Sequence, residues 1–500
     1  MRRLSSFDTQ FLAAEDGRTH THVVQLTVVE GTTYDGRPVT LETVRSVIAE
    51  RIHLLPLFTM TLRTVPFDLD YPVLVEDPAF DLDDHLWEMA LPSPGTDEQL
   101  GDLVARVASR PLDRGRPLWE VYVVRDLAEG RVAVLTKISH ALVDGVSGLE
   151  LLSTLLDVAP EGRDVEPPDQ PRELPAPPSD LSLLARGVAS LPRQQVRMLS
   201  ALPATLRHLD QLPTMRTLPG TGPLTRAADA VYGLITRDRD GAILERPTGP
   251  GPEVSFGGRI SAHRRFAFGT LDLDTVKAVK DTKPGLTVND VVVAVTAGAV
   301  RRRLLARGDS VTEPLVAYVP ISVRTPGTGF GNHIASLIAE IPTDEPDPVA
   351  RLERSHATMQ SAKTRHRATP ATLLTDANHT VPPALFGRVA RAISFTAANG
   401  LIDPAFNLTV SNLPGSRIPL HLAGARVVSQ HPVNLVFNGH GLAVTLLSYQ
   451  DRLDFGLTVD RDNFPDVWHL AADLEAALAE LAEAVGVPTR RTRRAPRRRR

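Results

Sequence analysis

The 500-residue chain contains no cysteine. Disulfide bonds, thiolate nucleophiles and cysteine-ligated metal sites are therefore excluded. No apolar run reaches the roughly 18 residues needed to cross a bilayer, and the longest candidate, residues 291–300, is typical of a buried helix. The N-terminus, MRRLSSFD, lacks the hydrophobic core of a secretory signal. We therefore expect a cytoplasmic protein that can also sit peripherally on the inner membrane surface or on lipid inclusions.

Acidic residues are absent from residues 490–500, which hold eight arginines. The net charge of the whole chain is −4, so the rest of the chain carries −12. A basic tail on an acidic body indicates attraction to anionic lipid headgroups or to nucleic acid. A disordered, solvated tail without an essential role explains the same composition equally well.

The size and composition indicate a two-domain enzyme. Hydrophobic residues make up 42% of the chain and charged residues 23%, as in a globular protein, and 500 residues exceed one ordinary core. Helical and strand patterns are mixed in both halves, which predicts the α+β class. The predicted units are an N-terminal domain over 1–160, a Pro-rich linker and amphipathic helical crossover over 161–225, a C-terminal domain over 226–488 and a disordered tail over 489–500.

The crossover contains a basic amphipathic stretch, residues 181–215. Its leucines and valines alternate with arginines, and Pro192 and Pro203 predict a break into short helices. Such a segment can lie in a membrane interface. A bridge packed between two domains fits equally well, and the pattern does not decide between them.

One motif in the first half combines a strand with chemistry. Residues 132–138 alternate β-branched side chains, and the apolar run 119–124 before them completes a predicted hairpin. The strand ends in SHALVDG, residues 139–145. A neutral imidazole at His140 can take a proton from a hydroxyl near pH 7. Gly145 permits a tight turn that brings the Asp144 carboxylate back toward the ring or toward a basic residue. A histidine that is only hydrogen-bonded by its neighbours explains the same short motif.

The chain resembles the bacterial wax ester synthase/acyl-CoA:diacylglycerol acyltransferase family over nearly its whole length. The resemblance is weakest between about 160 and 255 and absent from the arginine tail. It rests on an ordered set of blocks: LSSFDTQFLAAED (4–16), FDLDDHLWEMALPSPG (80–95), PLDRGRPLWE (111–120), SHALVDG (139–145), TVNDVVVA (287–294), VPISVR (319–324), FGNH (330–333), SNLPG (411–415) and LSYQDRLDFGLTVDRDNFPD (447–466).

The resemblance implies a fold like chloramphenicol acetyltransferase and the peptide-synthetase condensation domains. Two similar mixed-sheet domains then enclose an interfacial tunnel, with His140 as the general base at their interface. The family usually has two adjacent histidines, and here Ser139 replaces the first. Because the second histidine is the base in the family, we expect activity to survive and substrate range or rate to change.

The family blocks supply further candidate site residues. Asp144 is expected to pair with Arg324 and hold the loop in shape, together with Gly145. Asn289 and Asp290 match a second short family motif, for which helix capping is the favoured interpretation. Two asparagines, Asn332 and Asn412, are candidates for the tunnel lining, although turn-forming asparagine is an equal explanation.

The implied activity is acyl transfer from acyl-CoA to diacylglycerol, and also to long-chain alcohols in wax ester synthesis. Acyl-CoA is a co-substrate, and no cofactor or metal is required. The expected partners are acyl-CoA, the acceptor lipid and a membrane or lipid-droplet surface, with nucleic acid disfavoured. Two alternatives stay open: the same fold acylating another acceptor, and a catalytically weakened lipid-surface binding protein.

Overall fold

The computed structural model describes residues 1–142, 153–167, 176–207, 251–322, 334–368, 381–398 and 405–488. Several residues of the predicted site lie outside these ranges, namely Asp144, Gly145, Arg324 and Asn332. The arginine tail over 489–500 also lies outside them.

Five helices in the described residues begin at a residue whose side chain caps the first turn. Thr96 and Gln99 form a capping box, because each side chain accepts the other's backbone N–H. Gly486, with φ of +73°, follows the last helix, where glycine commonly ends a helix. The helices are α1 (Ser6–Ala14), α2 (Leu41–Arg51), α3 (Asp97–Ala108), α4 (Asp180–Arg207), α5 (Leu273–Asp281), α6 (Val288–Arg307), α7 (Pro348–Ala368), α8 (Pro383–Ala398) and α9 (Val467–Ala484).

The predicted break of the amphipathic segment at its prolines is wrong, because α4 continues through Pro192 and Pro203 to Arg207. Proline removes one helical hydrogen bond, to the carbonyl four residues earlier. At Pro192 that carbonyl belongs to Val188, and both residues lie on the exposed side of α4. Water can therefore satisfy the freed carbonyl, and the helix continues.

Two large mixed sheets organise the chain. The first has the strand order β5-β6-β7-β2-β14-β13-β8 and the second β11-β10-β12-β15-β16-β9, while β1, β4 and β3 form a small third sheet. The predicted hairpin is confirmed as β6 paired antiparallel with β7. The strands are β1 (Arg2–Arg3), β2 (His22–Val29), β3 (Met60–Arg63), β4 (Val73–Glu76), β5 (Leu86–Ala90), β6 (Trp119–Arg125), β7 (Val132–Ser139), β8 (Leu156–Asp157), β9 (Arg264–Asp272), β10 (Leu315–Ser322), β11 (Ile334–Ile341), β12 (Leu408–Leu413), β13 (His421–Leu422), β14 (Ala425–Val433), β15 (Leu442–Tyr449) and β16 (Arg452–Asp460).

No pattern in the sequence predicts β14, which joins the two halves. This strand comes from the second half of the chain but pairs antiparallel with β2 of the first sheet. It crosses β16 of the second sheet closely, since a Cβ on Gly456 would lie 1.9 Å from the carbonyl oxygen of Pro432. Glycine is therefore required there, and residues 421–433 belong structurally with the N-terminal sheet. The domain boundaries stay a prediction. No single position in the chain separates the strands of one large sheet from those of the other.

The halves also meet through α3 and β9. A Cβ on Gly101 of α3 would lie 2.6 Å from the carbonyl oxygen of Phe266 in β9, so these backbones are in close contact. Phe266 and Phe268 join the buried cluster that includes Leu103 and Val104 of α3. The α+β class with two mixed-sheet bodies is confirmed, and their joint core holds β2 and β7 in place.

Candidate active site

His140 lies one residue beyond β7, in a tight turn fixed by backbone hydrogen bonds. Its N–H donates to the carbonyl oxygen of Thr21 at 2.8 Å, and the N–H of Leu142 donates to the carbonyl oxygen of Ser139 at 3.0 Å. The Ser139 Oγ accepts the N–H of Ala141 at 3.3 Å. Ser139, where the resemblance leads one to expect histidine, therefore stabilises the turn that carries His140.

The imidazole of His140 is buried and stacks on the ring of Phe11. The ring centroids are 4.0 Å apart and the planes differ by 12°. The hydroxyl of Thr21 donates to the Phe11 carbonyl oxygen and to Glu15 Oε1, both at 2.9 Å. Because Thr21 also accepts the His140 N–H, one residue links α1 to the histidine turn. Phe11 thus restricts the orientation of the imidazole.

A second histidine lies directly across the strand pair. His22 of β2 is in register with Ser139 of β7, and its Nε2 donates to the carbonyl oxygen of Ala108 at 2.8 Å. Burial, reinforced by the nearby Lys137 cation, lowers the pKa of His22 well below its ordinary value. His22 is therefore neutral at pH 7 and acts as a fixed donor at the end of α3.

A buried lysine lies on the same face of β7 as Ser139. Lys137 Nζ donates to the carbonyl oxygen of Arg110 at 2.8 Å and to Glu120 Oε2 at 3.0 Å. Tyr122 donates its hydroxyl to the same Glu120 oxygen at 2.8 Å. Burial lowers the pKa of Lys137, with Glu120 opposing the shift. This hydrogen-bonded layer fixes β6 and β7 beside the histidine turn.

Arg264 connects the second half of the chain to the segment that precedes Thr21. Its guanidinium donates to the carbonyl oxygen of Ser261 at 2.8 Å, to that of His263 at 3.1 Å and to that of Arg18. The Asp460 carboxylate lies 3.8 Å away. One buried side chain at the start of β9 therefore holds the loop between α1 and β2.

The predicted residues of the second half lie in other surroundings. Asp290 is fully buried, and its Oδ2 accepts the N–H of Thr287 at 2.8 Å and the Nδ1–H of His356 at 2.9 Å. It closes the capping box of α6 and links α6 to α7. Asn289 is half-buried in the first turn of α6, and Asn412 is half-buried in β12. Their assignment to the reaction site stays a prediction.

Several residues that hold the histidine turn and its neighbouring elements have no role predicted from the sequence. Phe11 lies within the first family block, but nothing in the pattern indicates a stack. His22 and Lys137 are two of several polar positions in β2 and β7, so polarity alone does not distinguish them. Thr21 acts mainly through its backbone carbonyl and Arg264 through distant carbonyls, so residue type alone gives no indication of either.

Two other features of the described residues bear on chemistry. In that part of the chain, no group of three or more histidine, aspartate or glutamate side chains is placed to hold a metal ion. The helices described there include none long and apolar enough to cross a membrane.

A groove of about 710 Å³ lies at the other end of the first sheet. Its lining includes Gly130 and Arg131, which precede β7, whereas His140 follows it. Eight strand residues span about 25 Å. The groove therefore does not belong to the histidine turn.

Comparison with sequence families gives matches along most of the chain. The model of the wax ester synthase/diacylglycerol acyltransferase catalytic domain matches residues 4–292, and that of the corresponding C-terminal domain matches residues 330–482. A Mycobacterium tuberculosis protein provisionally named a diacylglycerol O-acyltransferase is 33% identical, covering 97% of this chain and 90% of the relative. Another from that species is 34% identical, covering 97% and 100%.

Solved structures support the fold. A wax ester synthase/diacylglycerol acyltransferase from Marinobacter aquaeolei VT8 has a TM-score of 0.66 at 27% identity, covering 97% of this chain and all of that one. The starter condensation domain of rhizomide synthetase, a mutant in complex with C8-CoA and Leu-SNAC, has a TM-score of 0.55 at 13% identity, covering 97% and 94%. The predicted fold class is thus confirmed, and the interfacial tunnel stays a prediction.

Proposed function

The chain belongs to the wax ester synthase/diacylglycerol acyltransferase family, and from that premise we propose that it is an acyl-CoA-dependent O-acyltransferase. Its acceptor is the free hydroxyl of diacylglycerol, and the product is triacylglycerol. Long-chain alcohols form a second acceptor class, which gives wax esters. Both acceptors present an alcohol on a lipid, so one site serves both.

The observation that carries this proposal is the placement of His140. Its backbone is fixed by Thr21, its imidazole by Phe11, and the strand before it by the Lys137 layer. A general base contributes when it is held within reach of the proton it removes. The restraints on His140 are of the kind that such a role requires.

In the proposed reaction His140 removes the proton from the acceptor hydroxyl as the oxygen attacks the thioester carbonyl carbon. The new C–O bond forms and the C–S bond breaks. The imidazolium then gives its proton to the departing sulfur, so the products are an ester and CoA with a free thiol. No covalent acyl-enzyme is needed, in keeping with the absence of cysteine. Acid–base catalysis of this kind contributes roughly 10²–10⁴ in rate.

We assign supporting roles to the rest of the predicted set. Asp144 and Gly145 shape the loop after His140, with Arg324 as the partner of Asp144. Asn332 and Asn412 line the path of the substrates. Ser139 holds the turn in place of the usual histidine, so the reaction rests on one imidazole.

The acceptor and product are nearly insoluble in water, so we propose that the protein acts peripherally on the cytoplasmic membrane surface or on lipid inclusions. It requires acyl-CoA from the aqueous side and the acceptor from the lipid side. Neither nucleic acid nor a resident cofactor has a part in this scheme.

The test is an acyl-transfer assay of the purified full-length chain with detergent-dispersed acceptors. A thiol reagent detects released CoA, and the cysteine-free chain contributes no background. We expect thiol release and ester formation with diacylglycerol and with a long-chain alcohol, and none with an amine of matched chain length. Amide as the main product, fatty acid alone, or no thiol release would each contradict the proposal.

A further inference from the structure

Helix α4 exposes a stripe of large apolar side chains along its outer side. Leu181, Val188, Val196, Leu199 and Leu202 are each between 40% and 75% exposed. At 100° per residue they fall on one side of the helix. We refer to these five residues as the docking face. A continuous exposed apolar stripe of this length marks an interaction surface rather than an ordinary solvated helix.

The opposite side of α4 is held firmly against the protein. Leu183 packs with Val73 and Val75, and a Cβ on Gly187 would lie 3.0 Å from Val65. The side-chain amide of Gln194 donates to the carbonyl oxygen of Leu69 at 2.9 Å. The apolar stripe is therefore presented outward by a fixed helix.

The charges on α4 favour one kind of partner. The helix carries four arginines and one acidic residue, Asp180, although the chain as a whole is negative. Arg186, Arg193 and Arg197 are exposed and lie along one flank of α4, between the docking face and the side that packs on the protein. Arginines beside an apolar stripe are the pattern of a helix that lies in an anionic membrane interface.

The turn on which α4 packs also carries an exposed aromatic ring. Phe67 is 80% exposed and has a left-handed backbone with φ of +59°. It lies in the turn Pro66–Asp68, which contacts both α4 and α8. A non-glycine residue in this conformation is strained, and burial of its ring within the protein does not offset the strain. Insertion into lipid gives the exposed ring an apolar environment.

A series of packed elements connects α4 to the histidine turn. Helix α8 contacts the turn Pro66–Asp68 and also α1, and α1 supplies the ring that stacks on His140. Helix α4 is thus linked, through the turn Pro66–Asp68 and α8, to the helix that holds the imidazole.

We propose that α4, with Phe67, is an interfacial helix that docks the protein on an anionic phospholipid surface. The delivery of acceptor to His140 from that surface rests on the proposed acyltransferase function. The docking itself does not depend on it, so the two can fail separately.

The absence of cysteine allows a site-specific test in the full-length chain. Leu199→Cys carries an environment-sensitive fluorophore on the docking face, and Leu305→Cys carries it at an exposed leucine of α6. With vesicles of phosphatidylglycerol and phosphatidylcholine in equal amounts, we expect a blue shift and intensity gain at 199 and none at 305. An equal response at both sites, or none at either, overturns the proposal. Blue emission at 199 before vesicles are added also overturns it, because a protein segment or a second copy then covers the face.

Charge variants test the same surface by vesicle co-sedimentation. Val188→Glu and Leu199→Glu together should weaken binding by roughly tenfold or more for each side chain, whereas Leu305→Glu should bind like wild type. Arg186→Gln with Arg193→Gln should reduce the preference for phosphatidylglycerol over pure phosphatidylcholine vesicles by about fivefold per charge. Unchanged binding in both sets overturns the proposal.

Measurements of acyl-transfer activity distinguish membrane docking from catalysis. The Val188→Glu, Leu199→Glu variant should keep wild-type turnover with a short-chain alcohol dissolved in water and lose turnover with diacylglycerol held in vesicles. Loss of both rates by this variant overturns the assignment of the face to docking alone. If wild type acylates neither acceptor but Leu199 still inserts into vesicles, the acyltransferase proposal fails and the docking proposal stands.

Discussion

At the scale of single residues, the site depends on how firmly one imidazole is oriented. His140 is held from two sides, by the Thr21 carbonyl on its backbone and by the Phe11 ring on its side chain. Both partners lie more than one hundred positions earlier in the chain. The motif indicates the base, whereas the restraint comes from the tertiary structure.

Phe11→Leu should lower kcat by about tenfold with little change in KM, because the imidazole loses a stacked partner worth roughly 0.5–1.5 kcal/mol and gains rotational freedom. Phe7→Leu is the matched control, since Phe7 contacts Phe11 edge-on at 5.4 Å and is one ring removed from His140. Steady-state kinetics with a dissolved alcohol measures both constants. Equal kcat in the two variants would mean that the stack does not position the base.

The residue scale also shows what the sequence can and cannot predict. The spacing of His140, Asp144 and Gly145 with the ordered blocks indicates the chemistry, because each block is local. Phe11, His22 and Lys137 become informative only when β2, β7 and α1 are brought together. No local pattern specifies those contacts.

At the scale of elements, local rules predict the starts of helices better than their interruptions. Capping boxes act within three residues, so the sequence alone indicates the starts of α3 and α6. Pro192 does not interrupt α4 because the freed carbonyl faces water, and solvent exposure of a helix face depends on its tertiary packing. Strand β14 escaped prediction because Ser429, Gln430 and Pro432 disrupt the alternation expected of a strand.

Arg264→Gln should destabilise the protein by about 2–4 kcal/mol, because three carbonyl oxygens and the buried Asp460 lose a shared cationic donor. Arg265→Gln is the control: its partner Asp102 is 3.5 Å away and largely exposed, so a change within about 0.5 kcal/mol is expected. Urea unfolding gives both values. Equal stability of the two variants would contradict the role of Arg264 in holding the loop between α1 and β2.

At the scale of the whole molecule, a strand from the second half of the chain pairs into the sheet of the first half and so joins the two sheets. The pairing of β14 with β2 joins positions about four hundred residues apart, and Gly456 permits the crossing over β16. Pairing between strands that are so far apart in the chain produces no periodic pattern in the sequence. The family resemblance predicts an architecture of two mixed-sheet domains. Composition and periodicity alone predict only two α+β halves.

Several buried histidines tie the stability of this joined core to pH. Burial lowers the pKa of His440 from its ordinary value of 6.5 to about 3, and it also lowers the pKa values of His22 and His431. Between the folded and unfolded pKa values the unfolded chain binds more protons, so stability falls as pH drops below 6.5.

Each such histidine contributes up to about 1.4 kcal/mol per pH unit in that range. His440 is enclosed by Phe406 and Phe437, with ring centroids 4.6 Å and 5.0 Å away, so His440→Leu removes one titrating group from an apolar setting. Between about pH 6 and pH 4.5, the slope of unfolding free energy against pH should be smaller in His440→Leu than in wild type. The difference is the contribution of one proton, up to about 1.4 kcal/mol per pH unit. Identical slopes in wild type and variant would show that His440 titrates alike in both states.

The central claim is that His140 is the base for acyl transfer, and the most direct measurement is the turnover number of His140→Ala with saturating acyl-CoA and a detergent-dispersed long-chain alcohol. The expected result is a fall of roughly 10²–10⁴ relative to wild type, with an unchanged unfolding midpoint and unchanged vesicle binding. Turnover equal to wild type in a correctly folded His140→Ala variant would contradict the account.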